Sequence, residues 1–350
     1  MAEFEMALKK AERSMKTTKS GKSWMILVAC LASQATVSGC AAMNRRPESL
    51  LPDQYTFRSG PFRIHTHKPI RSNDPMVAEL DSLSRDVSKA IGQPEQPGHE
   101  HVDVYLLKDE ASFRHYLKFF HPELPPRRAY FIATESSRTI YTFLGDHLME
   151  DLRHEATHAL VNLSHPTLPL WLDEGLAEVF EHPERSPDRD LHLDKFLADV
   201  KAGAMPDLAR LEKITDVREM TPRDYRESWA WVRWGLAGPE PIRAVFARYI
   251  KESTGSNLAA SGQFHSLAAM WNQVAPQLNP QGTPMVAWLS RQAESVRTNL
   301  ATAPVDSQLR KARLQNAEPQ AEMRTFEPDA KDPSGATTRK RGFLRRLFGF

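Results

Sequence analysis

The chain has almost no cysteine. Cys30 and Cys40 are the two among 350 residues, and both fall in one apolar stretch near the N-terminus, which excludes a disulfide scaffold. Long apolar runs are scarce as well. Nothing approaches several uncharged segments of about 20 residues, so a multi-span membrane protein is excluded. Repeats with periods of about 20–50 residues are missing, which excludes solenoids and propellers. Excess basic charge is missing from the body of the chain. Residues 1–23 hold six Lys/Arg against three Glu, residues 24–40 are uncharged, and residues 339–350 hold five cations and no acid. With a whole-chain charge of +2, the segment 41–338 is left at −6. A nucleic-acid surface does not fit that balance. The remaining composition, 41% hydrophobic and 26% charged, is that of a globular protein with one large domain or two ordinary ones.

Both ends carry signals of their own. Lys16, Lys19 and Lys22 precede an apolar run over 24–37, and Ser38-Gly39 stand before Cys40. A positive segment, a short apolar segment and small residues before a cleavage point make a secretory signal. The run is diluted by Ser33, Gln34 and Thr36 and is short for a bilayer span. Its end resembles the lipobox of bacterial lipoproteins. That resemblance implies that Cys40 is lipidated and becomes the mature N-terminus. Leu27-Val28-Ala29-Cys30 also fits the box but leaves almost no apolar segment ahead of it, and an uncleaved anchor is the other reading. Met15 opens a more typical signal than Met1. Ala41, rather than Asp, after the cysteine points to the outer membrane of a two-membrane cell, on its periplasmic side. At the other end, 339–350 sets five cations among Phe343, Leu344, Leu347, Phe348 and Phe350. That segment reads as a membrane contact supplementing the lipid, or as a solubilising or docking tail.

Between the ends the pattern is α+β. Residues 41–54 read as a linker. Residues 57–67 read as two short strands around Ser59-Gly60-Pro61, and 76–91 as a helix with a 3.6-residue apolar period. After a Gly/Pro-rich break at 92–98 come a strand over 102–107 and a helix over 113–120. A hairpin follows over 129–143, across Ser136-Ser137. From Asp146 the pattern is almost entirely helical, closing with helices around 242–250 and 285–296. The expectation is a small mixed α/β lobe with a short sheet over 55–145 and a helical lobe over 146–300. A disordered linker over 301–338 precedes the tail. Trp229, Trp231, Trp234, Trp271 and Trp288 are expected in the core.

The chemistry lies between 154 and 178. His154-Glu155-Ala156-Thr157-His158 is H-E-x-x-H, which this composition produces by chance in roughly one chain in thirty. Leu148, Leu152, Ala156, Ala159, Leu160 and Leu163 form a helical stripe around it. On a helix, His154 and His158 share a face about 6 Å apart along the axis, a gap two imidazoles can close on one Zn²⁺. Glu155 is rotated about 100° from His154, beside the metal, where a general base stands. Two imidazoles leave catalytic zinc one protein ligand short, and Glu174, separated from His158 by fifteen residues at the start of a second helical run, is the candidate. His65, His67, His99, His101, His115, His121, His147 and His165 are isolated or alternate, and read as surface residues.

With Trp171-Leu172-Asp173-Glu174-Gly175-Leu176-Ala177-Glu178 in place, the chain resembles the gluzincin metallopeptidases, nearest the peptidase-MA-like family of bacterial proteins. The likeness runs over roughly 57–235, with its specific motifs at 154–178. It implies a zincin-like fold, zinc held by His154, His158 and Glu174, and water activated by Glu155. It also implies that Glu178 hydrogen-bonds a ligand histidine. Asp173 stands where aminopeptidases often have Asn. Tyr225-Arg226-Glu227-Ser228-Trp229-Ala230 resembles the Y-x-x-G-x-A segment whose tyrosine steadies the oxyanion, with Ser228 in place of the glycine. Tyr225 takes that role or simply opens a Trp-rich core helix. The expected function is a zinc peptidase tethered to the bacterial envelope, acting on a peptide or protein laid along the 129–143 hairpin. The alternative is a zinc-binding lipoprotein that serves as a scaffold without turnover.

Overall fold

A computed structural model describes residues 50–93, 101–183, 186, 191–255, 264–274 and 283–301. Cys30, Cys40, most of the 41–54 linker, residues 302–338 and the tail lie outside the described residues. The architecture is mixed α+β, with one five-stranded sheet and ten α-helices among the described residues. No helix there is long and apolar enough to cross a membrane.

Five strands form the sheet: β1 (Tyr55–Ser59), β2 (Phe62–Thr66), β3 (Val102–Leu107), β4 (Tyr130–Ala133) and β5 (Arg138–Phe143). Their order is β1-β2-β3-β5-β4. β1 turns tightly into β2, with Gly60 at φ 52°. The pairs β2–β3 and β3–β5 are parallel, while β4 runs antiparallel to β5 at the sheet edge. Alternation along the strands sends side chains to two different cores. Val104, Leu106 and Ile140 face the main one, and Leu107 and Tyr141 a smaller one.

The parallel pairs need crossovers, and helices supply them. α1 (Pro75–Ile91) starts at Asp74, whose side chain accepts from the Met76 amide, and buries Leu80, Leu83 and Val87 in the main core. α2 (Glu110–Phe120), capped by Asp109, covers the opposite face with Phe113, Tyr116 and Leu117. α3 (Leu148–Ser164) then runs beneath β5 and β4 and against α1. Arg153, buried on α3, bonds Glu79 of α1 and the Phe180 carbonyl.

From there the chain is helical: α4 (Leu170–Phe180), α5 (Leu191–Lys201), α6 (Leu208–Leu211), α7 (Pro222–Ala237), α8 (Glu240–Gly255), α9 (Leu267–Val274) and α10 (Thr283–Ala301). α7 begins with a full capping box, Thr221 and Asp224 bonding each other's backbone amides, and with proline in its first turn. Trp229, Trp231, Trp234 and Trp271 are buried as expected, and Trp288 packs partly buried against them. The closest helix pairing is α4 with α7. A Cβ on Gly175 would stand 2.6 Å from Val232 Cγ2 and 2.7 Å from the Ser228 carbonyl oxygen. Only glycine admits that approach, and it places Tyr225 within electrostatic range of Glu174.

Candidate metal centre

Three side chains from two helices converge. α3 carries His154 and His158 one turn apart, with their Nε2 atoms 3.3 Å from each other. α4 brings Glu174 Oε2 to 3.8 Å from His154 Nε2 and 3.7 Å from His158 Nε2. A point equidistant from these three atoms lies about 2.1 Å from each, the length of a Zn–N or Zn–O bond. Glu174 is 6% exposed, and its Oε2 has no hydrogen-bond partner. A buried carboxylate oxygen left alone between two imidazole nitrogens is costly unless a cation joins them.

The charges agree with that reading. Burial lowers the proton affinity of His154, but Glu181, Glu178 and Glu155 outweigh it and push its pKa up to about 10. Burial acts likewise on His158, and Asp173 with Glu174 lifts its pKa to about 9. Glu174 is also raised, because burial exceeds the pull of His158, His154 and Arg127. All three groups hold protons strongly, so the site is short of positive charge. A divalent cation would supply that charge and displace the protons. Imidazoles and a carboxylate are a zinc donor set.

Comparison with protein-family models and with curated proteins returns no match.

Asp173 Oδ2 lies 3.0 Å from His158 Nδ1, and Glu181 Oε2 lies 3.6 Å from His154 Nδ1. Both carboxylates lie on the side of the ring turned away from the centre, where such groups orient metal-binding imidazoles. Glu178 is placed differently from expectation. Its carboxylate is 2.9 Å from His192 Nε2 on α5, and Glu181 is the carboxylate nearest His154 Nδ1. Glu178 sits one turn after Glu174 on α4, and α5 brings His192 across to it. His165 departs from expectation as well. It is 2% exposed, not a surface residue, and burial pulls its pKa down to about 4. It closes α3 and lies in the core-facing loop that returns to α4.

Glu155 stands beside the triad and outside it. It is buried, and its Oε2 accepts from the Phe131 amide of β4 at 2.7 Å. That amide therefore points away from β5, and by strand alternation Ala133 presents its backbone outward in the same direction. Tyr225, from the first turn of α7, lies within electrostatic range of Glu174 and of the Arg127 guanidinium. Burial, reinforced by Glu174, pushes its phenol well above the ordinary range, so the hydroxyl keeps its proton. Arg127 keeps its charge against burial through Tyr225, Glu174 and Glu155. Nothing in the Pro125-Pro126-Arg127-Arg128 run marks Arg127 as a site residue, because its partners come from three other elements.

Arg127 and Glu155, but not Tyr225 or His154, line a cavity of about 270 Å³. Tyr130, Phe131 and Ala133 of β4 form one wall, and Thr215, Asp216 and Val217 form another. Glu155, His158 and Glu174 lie between them.

Proposed function

We propose that this chain is a zinc-dependent peptidase of the gluzincin type, with a zincin-like fold, tethered by lipid at Cys40 to the bacterial envelope. One observation carries the reading. Glu174 Oε2 is orphaned between His154 and His158, while Glu155 stands beside them as a carboxylate that is not a ligand. A structural zinc site has no use for Glu155, whereas a hydrolytic one needs a base there.

His154, His158 and Glu174 would hold the zinc, which supplies Lewis acidity toward a carbonyl and lowers the pKa of water to about 7. Glu155 takes the proton of the attacking water and passes it to the leaving amine. The Phe131 amide fixes one of its oxygens and leaves the other for that transfer. Tyr225 donates its hydroxyl proton toward the developing oxyanion, and Arg127 polarises that hydroxyl. The outward Phe131 carbonyl and the Ala133 amide and carbonyl offer an edge on which an extended peptide adds as a further strand, the Phe131 amide being held by Glu155.

The scaffold reading has its own support, since the Glu155–Phe131 bond joins helix to strand whether or not turnover occurs. Glu155→Gln separates the two. The amide oxygen still accepts from Phe131 but cannot take a proton. The peptidase reading expects peptide hydrolysis to fall by at least about 10²-fold with zinc content unchanged. Undiminished cleavage by the variant sinks the mechanism, and no cleavage by wild type across a peptide library favours the scaffold.

A further inference from the structure

Phe119 and Phe120 end α2 with their rings in solvent, 70% and 49% exposed. The rings meet edge to face with centroids 4.8 Å apart, and Phe120 leans on Tyr116 at 4.7 Å, so the pair is held outward by packing. Lys118 beside them is exposed, and residues 118–122 carry no acid. The described chain begins at Leu50, and Leu51 packs on the cluster of Phe113, Tyr116 and Leu117 that forms the inner side of α2. The first described residues therefore lie beside α2. Ten residues lie between Cys40 and Leu51, a reach of at most about 40 Å.

We propose that the Phe119–Phe120 pair is a membrane foot, seated in the interfacial layer of the bilayer to which the chain is tethered. The proposal rests on the lipid-anchor reading for its geometry. Aromatic rings beside a lysine suit the boundary between headgroups and acyl chains. The body, at −6, is repelled by an anionic surface, so the contact has to be apolar and is not weakened by salt. Residues 121–129 run from the foot directly to Arg127 and β4. The foot thus holds the substrate edge of the cleft close to the bilayer.

The test places the photoreactive p-benzoylphenylalanine at position 119 of the full chain, or at exposed position 205 as a control. The chain is reconstituted in vesicles of phosphatidylethanolamine and phosphatidylglycerol, and adducts are read by mass. Lipid adducts are expected at 119 and not at 205, at low and high salt alike. Phe120→Ser should cut the yield at 119 by about tenfold. Absence of lipid adducts at 119, equal adducts at both positions, or a second copy of the chain captured at 119 overturns the foot. The mass of the N-terminal peptide reports acylation separately. An acylated chain without adducts at 119 loses the foot and keeps the anchor, and adducts on an unacylated chain do the reverse.

Discussion

Gly175→Ala perturbs the site without touching a ligand. The added methyl would meet Val232 Cγ2 at 2.6 Å, the Ser228 carbonyl oxygen at 2.7 Å and its carbon at 3.0 Å. Valine on a helix has essentially one χ1 rotamer, and the Ser228 carbonyl is helix backbone, so neither can swing away. Restoring ordinary contact needs α4 and α7 to part by about 0.8 Å. Overpacking of that kind costs about 1–3 kcal/mol, a fall in Tm of about 3–10 °C for a domain of this size. The same movement draws Glu174 on α4 away from Tyr225 on α7. Zinc affinity should fall by about tenfold, the scale of disturbed ligand support. Thermal unfolding and competition against a chromogenic chelator measure the two effects. Adding Val232→Ala removes the methyl contact but not the carbonyl one, so it should restore part of the Tm and not all of it. A Gly175→Ala protein with wild-type Tm and zinc affinity would refute the close-approach argument, and full rescue by Val232→Ala would clear the carbonyl.

Three further outcomes are expected. Glu174→Ala should abolish stoichiometric zinc binding in metal analysis, and zinc retained at one per chain would point to Glu181 or Glu178 as the third ligand. Tyr225→Phe should lower kcat by about 10²–10³-fold with zinc content and KM little changed, as loss of an oxyanion donor does; unchanged kcat would leave Tyr225 a core residue. His165 is held neutral, its pKa depressed to about 4 from the ordinary 6.5. Below pH 6.5 the unfolded chain takes up a proton that the folded chain refuses, so stability falls as pH drops toward 4, by at most about 3 kcal/mol. Denaturant titrations of zinc-free protein should show that loss, and His165→Leu should flatten it; an equal acid slope in both would refute the assignment.

Residues that act within one element were legible. The helical stripe around His154 and His158 requires only the 3.6-residue period, and the strand faces of Val104 and Tyr105 only the two-residue period. The hairpin over 129–143 follows the same rule, with β4 starting at Tyr130 and β5 at Arg138. Glu174 was reachable through the spacing of its motif. Glu178 shows where this reasoning ends, because its position one turn past Glu174 does not decide between His154 and His192.

The sequence by itself determined which residues share a face and which do not: the two imidazoles on one, Glu155 about 100° round from them, and the apolar stripes that build each helix and strand. Periodicity acts along a single element, so it needs no knowledge of the neighbours. Tertiary structure alone decided the pairings between elements: Arg127 with Tyr225, Asp173 and Glu181 behind the two histidines, Phe131 on Glu155, and His165 in the interior. Those depend on how closely α4 approaches α7 and which strand lies at the sheet edge. Both are set by packing of the whole core, where the missing side chain of Gly175 counts as much as any side chain present.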